Sequence, residues 1–264
     1  MAINLHIPLP IHLKTSGKAV ILLHGFCEDG LMWQHFAQEL SNHYTVIAPD
    51  LPGFGSAPPL PGITLPNMAA AVRATLQNLD INQYVVVGHS MGGYVALEMA
   101  NQQPDALLGI MLFHSTAFAD DETKRAGREA AINSIQQYGA RPFLTHFFEA
   151  LFTPRFALQQ PDMVQAMKQR AAQLLPQTLT DVLQAMKQRP DYTHQLADFN
   201  FPVGFIAGAA DTFVPWQKTL AECHLPKVSS LHILPDVGHA GMLEQPLQTL
   251  GMVKAFTDLC FLLA

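Results

Sequence analysis

The run Tyr84-Val85-Val86-Val87-Gly88-His89-Ser90-Met91-Gly92-Gly93 decides how this chain is read. Three valines behind a tyrosine, with no charge among them, fit a strand buried on both faces. Gly88-His89-Ser90-Met91-Gly92 then makes a G-x-S-x-G turn, and Met91 to Ala100 carries apolar residues at helical spacing. Strand, sharp turn and helix, in that order, are the context in which such a turn presents a nucleophile. Small residues beside Ser90 permit a strained backbone that lifts its Oγ above the sheet. The N-terminus of the following helix points unpaired N–H groups at incoming negative charge.

Outward from this run, short apolar stretches alternate with helical ones. Ala19 to Leu23, Tyr44 to Ala48, Leu107 to Phe113, Phe201 to Ala207 and Ser229 to Leu234 read as further buried strands. Helical spacing spans Leu31 to Leu40, Met68 to Leu79 and Leu243 to Leu262. Such a rhythm predicts an α/β fold, a mainly parallel sheet covered by helices on both faces. Asn4 to Leu13, broken by Pro8 and Pro10, is expected as an edge hairpin, and the proline-rich stretch Leu51 to Pro66 as a loop. After Phe113 the rhythm stops. Residues 117–195 contain no convincing strand and read as helices divided by Gly139, Pro142, Pro154, Pro161 and Pro176, an all-helical insertion in a core made of residues 1–116 and 196–264. Gln165-Ala166-Met167-Lys168-Gln169-Arg170 recurs at 184–189, but two copies do not make a repeat architecture.

A serine hydroxyl is a poor nucleophile near neutral pH and needs a base, itself oriented by a carboxylate. Asp211 lies on the loop after the strand ending in Phe205-Ile206-Ala207-Gly208, and His239 on the loop after Leu231-His232-Ile233-Leu234, where Gly238 frees the backbone to turn the ring inward. The order Ser90, Asp211, His239 suits strand-end loops of one parallel sheet. Rivals for the acid are Asp236, Asp120 and Asp121. His232 and His224 are disfavoured as bases, one lying within a strand and the other after a helix. The oxyanion formed on attack needs two preorganised donors. Met91 N–H is the first by position and Phe26 N–H, after the strand ending at Leu23, the expected second, with Gly25 letting the backbone approach substrate. His24 is expected to be a structural hydrogen-bonding residue and Asp50 a loop-fixing carboxylate. Phe26, Phe147, Phe148, Phe152 and Phe213 are the expected substrate-binding residues. With Phe143, Leu151, Met163, Met167 and Met186 they suggest a small or medium apolar substrate.

Composition bounds the alternatives. At 264 residues, with 49% hydrophobic and 14% charged residues, the chain can bury a large core. A net charge of −6 gives no electrostatic basis for gripping nucleic acid. Its apolar runs are strand-sized, well short of the roughly 20 residues that span a bilayer. The opening Met1-Ala2-Ile3-Asn4-Leu5 has no basic segment leading into an apolar one, so the expected compartment is the cytoplasm. The three cysteines, Cys27, Cys223 and Cys260, are widely separated and read as reduced thiols. Twelve histidines without an H-E-x-x-H pair indicate no metal site.

Taken together, His24-Gly25-Phe26, Asp50-Leu51-Pro52-Gly53-Phe54-Gly55-Ser56, the serine turn, Asp211 and Val237-Gly238-His239 resemble the α/β-hydrolase superfamily in its serine, esterase-like branch. The resemblance covers nearly the whole chain. It implies a sheet of up to eight strands and makes the insertion a cap over the active site. It implies hydrolysis of a carboxylic ester through an acyl-enzyme, with no cofactor, on a small-molecule substrate, by a monomer or homodimer. The same triad also serves cleavage of a carbon–carbon bond beside a ketone, thioester hydrolysis or perhydrolysis, and a pocket without turnover would make a small-molecule receptor. Serine at position 90 argues against the epoxide-hydrolase and haloalkane-dehalogenase branches, which carry aspartate there.

Overall fold

In a computed structural model of the chain, residues 18–264 are described. From the N-terminal side the elements are β1 (Ala19–Leu23), α1 (Gln34–Leu40), β2 (Thr45–Ile47), α2 (Leu65–Asn78), β3 (Tyr84–His89), α3 (Met91–Gln102) and β4 (Leu107–Phe113). Six helices follow without an intervening strand: α4 (Glu122–Tyr138), α5 (Ala140–Leu151), α6 (Pro154–Gln159), α7 (Pro161–Ala171), α8 (Pro176–Lys187) and α9 (Thr193–Leu196). The chain then returns through β5 (Val203–Gly208), α10 (Trp216–Glu222), β6 (Ser229–Leu234), α11 (Gly241–Glu244) and α12 (Pro246–Leu263).

The six strands form one sheet in the order β2-β1-β3-β4-β5-β6, and every neighbouring pair is parallel. The strand order reverses between β1 and β3, so the loops leaving these two strands part in opposite directions and open a crevice at the carboxyl edge. Leu23 pairs with Gly88 across that junction, which sets the β1 exit loop beside the serine turn. The described sheet is smaller than the eight strands the family implies, and the expected hairpin over Asn4 to Leu13 lies outside the described residues.

Local chemistry moves three element boundaries from their expected places. The first helix opens as a 3₁₀ turn over Gly30–Trp33, where the Asp29 carboxylate accepts the Leu31 N–H at 3.1 Å. Helix α2 begins at Leu65, because the Thr64 hydroxyl accepts the Asn67 N–H at 3.2 Å and Pro66 falls in the first turn, where its missing N–H costs nothing. The last helix is divided at Gln245, ahead of Pro246, which starts α12 without an N–H to give to α11.

Helix α12 lies close on the sheet at two glycines. A Cβ at Gly109 would stand 2.2 Å from Cys260 Sγ, and one at Gly204 would stand 2.9 Å from the Phe256 ring. Trp33, Phe36 and Phe113, all fully buried, meet edge to face with centroids 5.3 and 5.6 Å apart for the Trp33 pairs. Burying each such ring stabilises the fold by about 2–3 kcal/mol, and the rigid sheet edge they support is where the loops of interest depart.

Candidate active site

Ser90 occupies the junction of β3 and α3 with φ 49° and ψ −113°, a left-handed conformation that costs a side-chain-bearing residue energy. Neighbouring contacts force it. A Cβ at Gly88 would meet the Gly92 carbonyl at 2.4 Å, and one at Gly92 would meet the Leu23 carbonyl at 2.4 Å. Ser90 N–H donates to the Phe113 carbonyl at 2.9 Å, and the Ser115 hydroxyl donates to the Ser90 carbonyl at 2.7 Å, pinning the turn against β4. Met91, the first residue of α3, and Phe26 have N–H groups with no hydrogen-bond partner among the described residues.

Asp211 and His239 leave the ends of β5 and β6 and meet. His239 Nδ1 donates to Asp211 Oδ2 at 2.7 Å, with both side chains buried. The other carboxylate oxygen accepts N–H groups from Phe213 at 2.8 Å and Val214 at 3.0 Å. Burial opposes ionisation of Asp211, yet His239 and the converging donors outweigh it and hold this carboxyl well below the usual carboxylate range. Ser90 and His239 line one cavity of about 410 Å³. Of the rival acids, Asp236 is exposed, Asp121 caps α4 by accepting the Lys124 N–H at 2.8 Å, and Asp120 is taken up by two arginines. His224 is exposed, and His232 stays within β6.

A third ring joins this group. His114, directly after β4, has φ 48° and sets Nδ1 at 3.3 Å from Asp211 Oδ2. Its Nε2 accepts the Gly241 N–H at 3.1 Å, which leaves the proton on Nδ1, facing the carboxylate. Burial lowers its pKa to about 4, so the ring is neutral. The side chains of His114, Asp211 and His239 come within 4.8 Å of one another, the only such trio among the described residues. The nitrogens turned toward Asp211 carry protons, so these residues are set to hold protons rather than to offer lone pairs to an ion.

Behind the loops of Phe26 and His239 sits a buried ion pair. His89 Nδ1 stands 2.9 Å from Glu28 Oε2, which also accepts the Gly25 N–H at 2.6 Å, and His89 Nε2 donates to the His239 carbonyl at 2.7 Å. Burial works against both charges. Each nevertheless favours the other, so the imidazole is raised and the Glu28 carboxyl lowered from its ordinary range. A Cβ at Gly25 would lie 2.6 Å from Glu28 and 2.7 Å from His89, so the glycine makes room for that pair. His24 engages the backbone with both nitrogens, Nδ1 donating to the Gly25 carbonyl and Nε2 accepting from Leu51 N–H, each at 2.8 Å. Asp50 accepts from Gly30 N–H at 2.9 Å and from Ser56 N–H at 2.8 Å.

Of the expected substrate-binding residues, Phe26, Phe147 and Phe213 line the cavity, and Phe143 joins them. Phe148 and Phe152 do not. One step along α5 turns Phe148 away from Phe147 into full burial, edge-on to it at 5.4 Å, while Phe152 stacks on Phe156 at 5.0 Å. Met186 also lines this cavity, whereas Met167 borders a second one. The wall also carries the charged side chains of Asp120, Lys124, Arg128 and Arg189 from the helical insertion. No described helix is long and apolar enough to cross a membrane.

Known proteins similar to this chain include enzymes and solved hydrolase structures. The chain is 28% identical over 235 residues to the dihydrolipoyllysine-residue acetyltransferase component of the acetoin cleaving system of Cupriavidus necator, covering 87% of the chain and 61% of that longer protein. It is 26% identical to 2-succinyl-6-hydroxy-2,4-cyclohexadiene-1-carboxylate synthase of Enterobacter sp., covering 88% and 89% of the two chains. Among solved structures, a thermophilic esterase from Thermogutta terrifontis, with malate bound, superposes with a TM-score of 0.86 at 27% identity, over 92% of this chain and 90% of that one. An alpha/beta hydrolase family model matches residues 20–250, and the chain belongs to that family.

Proposed function

We propose that the chain is a serine hydrolase of carboxylic esters, with Ser90 as nucleophile, His239 as general base and Asp211 as the carboxylate that orients the base. Family membership supports a hydrolytic role. The observation that carries the finer reading is the 2.7 Å bond from His239 Nδ1 to Asp211, made by a ring that shares its cavity with a strained serine. With Nδ1 protonated and held, Nε2 has the lone pair that a serine proton requires.

In this mechanism His239 Nε2 takes the Ser90 proton as Oγ attacks the ester carbonyl. The Phe26 and Met91 N–H groups hold the oxyanion, and the imidazolium returns its proton to the departing alcohol. Water, deprotonated by the same ring, then attacks the acyl-enzyme and releases the acid and free Ser90. Residues 117–195 act as a cap over the core formed by 1–116 and 196–264, with Phe143 and Phe147 of α5 against the substrate. Replacing Ser90 by alanine, with circular dichroism to show an intact fold, is expected to abolish turnover of p-nitrophenyl butyrate. Unchanged turnover overturns the assignment.

A further inference from the structure

The apolar side of the cavity suits an ordinary acyl chain, but the charges on its other side do not cancel. Asp120 serves two arginines, with Arg128 Nε at 2.5 Å and Arg189 Nη1 at 2.7 Å, its own side chain 1% exposed. One negative charge therefore faces two positive ones. Asp121, the other acid lining the space, already caps α4 and pairs with Lys218 at 3.1 Å. Lys124 has no ion pair with any described carboxylate, and the partner of its ammonium is the Phe213 carbonyl at 2.8 Å. The nearby Asp211 charge is committed to His239 and backbone donors. The cavity wall is left with an excess of two positive charges in partly dehydrated surroundings.

Burying an ammonium without a counter-ion is unfavourable, and here burial, with Arg128 adding to it, lowers the Lys124 pKa to about 8. Its place is also informative. Lys124 Nζ stands 5.6 Å from the Phe213 ring centroid, and that ring packs at 4.9 Å against the imidazole of His239. One aromatic ring thus separates the cation from the base. Lys124 also falls in the first turn of α4, whose dipole adds to the attraction for an anion. The two guanidiniums are fixed in their own ways, Arg189 lying 4.0 Å over the Tyr94 ring and Arg128 reaching Met186 Sδ at 3.6 Å.

We propose that this cavity selects esters that carry a free carboxylate several bonds from the scissile carbonyl, as a half-ester of a short dicarboxylic acid does, and that the carboxylate pairs with the Lys124 ammonium beside the Arg128–Asp120–Arg189 cluster. The hydrocarbon between the two ends lies along Phe213 and Phe147. The choice of ester rests on reading Ser90 and His239 as the reacting groups, whereas the carboxylate site rests on the charges alone.

The test separates the two. Calorimetry of glutarate binding is run on Ser90→Ala and on Ser90→Ala with Lys124→Met, which keeps the stem and removes the charge. Kinetics compare the mono-p-nitrophenyl ester of glutaric acid with neutral p-nitrophenyl valerate on wild type, Lys124→Met and Lys124→Arg. Glutarate affinity is expected to fall at least tenfold with Lys124→Met. The ratio of kcat/KM for the half-ester to that for the neutral ester should fall by a similar factor and return with Lys124→Arg. Glutarate binding that stays within twofold after Lys124→Met overturns the carboxylate site, whatever the turnover. If wild type cleaves neither ester while glutarate binding still depends on Lys124, the hydrolase reading falls and the site stands.

Discussion

His89 donates from Nε2 to the backbone carbonyl of His239 across 2.7 Å, so the residue before Ser90 supports the loop of His239. Its other nitrogen faces Glu28, which holds the Gly25 N–H and with it the loop of Phe26. One buried ring thereby ties together the loops assigned to oxyanion and base. Glu28→Gln keeps the shape but removes the charge that sustains a protonated His89, and breaking one side of a buried pair costs about 3–5 kcal/mol. A melting temperature lowered by several degrees is expected, with kcat on p-nitrophenyl butyrate down about tenfold, the order of effect a small misplacement of reacting groups produces. Both quantities matching wild type would deny the pair a positioning role.

Asp211→Asn tests the tautomer. Asparagine can keep its carbonyl on the Phe213 and Val214 N–H groups, which turns its NH₂ toward His239 Nδ1. That forces the proton to Nε2, where it cannot accept from Ser90, and kcat is expected to fall by about 10⁴. His114, whose N–H already faces the same carboxylate at 3.3 Å, offers no replacement acceptor. A fall of less than tenfold would mean that another residue orients the base.

The strands and the places of Ser90, Asp211 and His239 just past strand ends were legible because they depend on local signals: apolar runs and glycines around turns. Phe147 and Phe148 mark the limit of that kind of reading. Both are aromatic in a helical insertion, but a step of one residue turns a helical side chain by about 100°, and only the packing of α5 decides which of them meets the cavity. Glu28 and His89 are 61 positions apart, and no periodicity links them. His114 sits after an apolar strand where its backbone gives no sign of the left-handed turn that aims it at Asp211. Lys124 and Arg128, one turn apart on a helix rich in charge, look in sequence like a solvated face; their place in the cavity follows from the packing of α4 on α5 and α8 and from the bond of Lys124 to the Phe213 carbonyl.

Glu244 joins the insertion to the loop of His239. One of its carboxylate oxygens accepts the Gly238 N–H at 2.9 Å, and the other accepts the Thr153 N–H at 3.1 Å and the Thr153 hydroxyl at 2.6 Å. Close by, the His239 N–H donates to the Leu151 carbonyl at 3.0 Å. Glu244→Ala strands these donors at a site that is only partly buried, where each lost bond to a charged acceptor costs about 1–3 kcal/mol. Stability is expected to drop by a few kcal/mol in urea titrations, and kcat by several-fold because Gly238 precedes His239. A variant that loses neither would show that the insertion and the base loop hold their places independently.

Glu222 gives the fold a pH dependence of defined sign. It is fully buried at the exit of β4, accepting the Thr116 hydroxyl at 2.9 Å and the Ala117 N–H at 2.8 Å through one oxygen. Burial pushes its pKa up to about 8 from an ordinary 4.5, and the two donors oppose that only in part. Below pH 4.5 the carboxyl is protonated in both folded and unfolded chains. Between pH 4.5 and about 8 the folded chain keeps a proton that the unfolded chain has lost. Stability therefore falls as pH rises through that window, by up to about 1.4 kcal/mol per pH unit from this group, and above pH 8 the loss is complete. Glu222→Gln can accept the same two bonds and has nothing to titrate. Unfolding free energies measured by urea at intervals from pH 5 to 9 should decline less in Glu222→Gln than in wild type, with the two curves parallel beyond pH 8. Curves parallel throughout would mean that Glu222 is already ionised in the folded protein at pH 5.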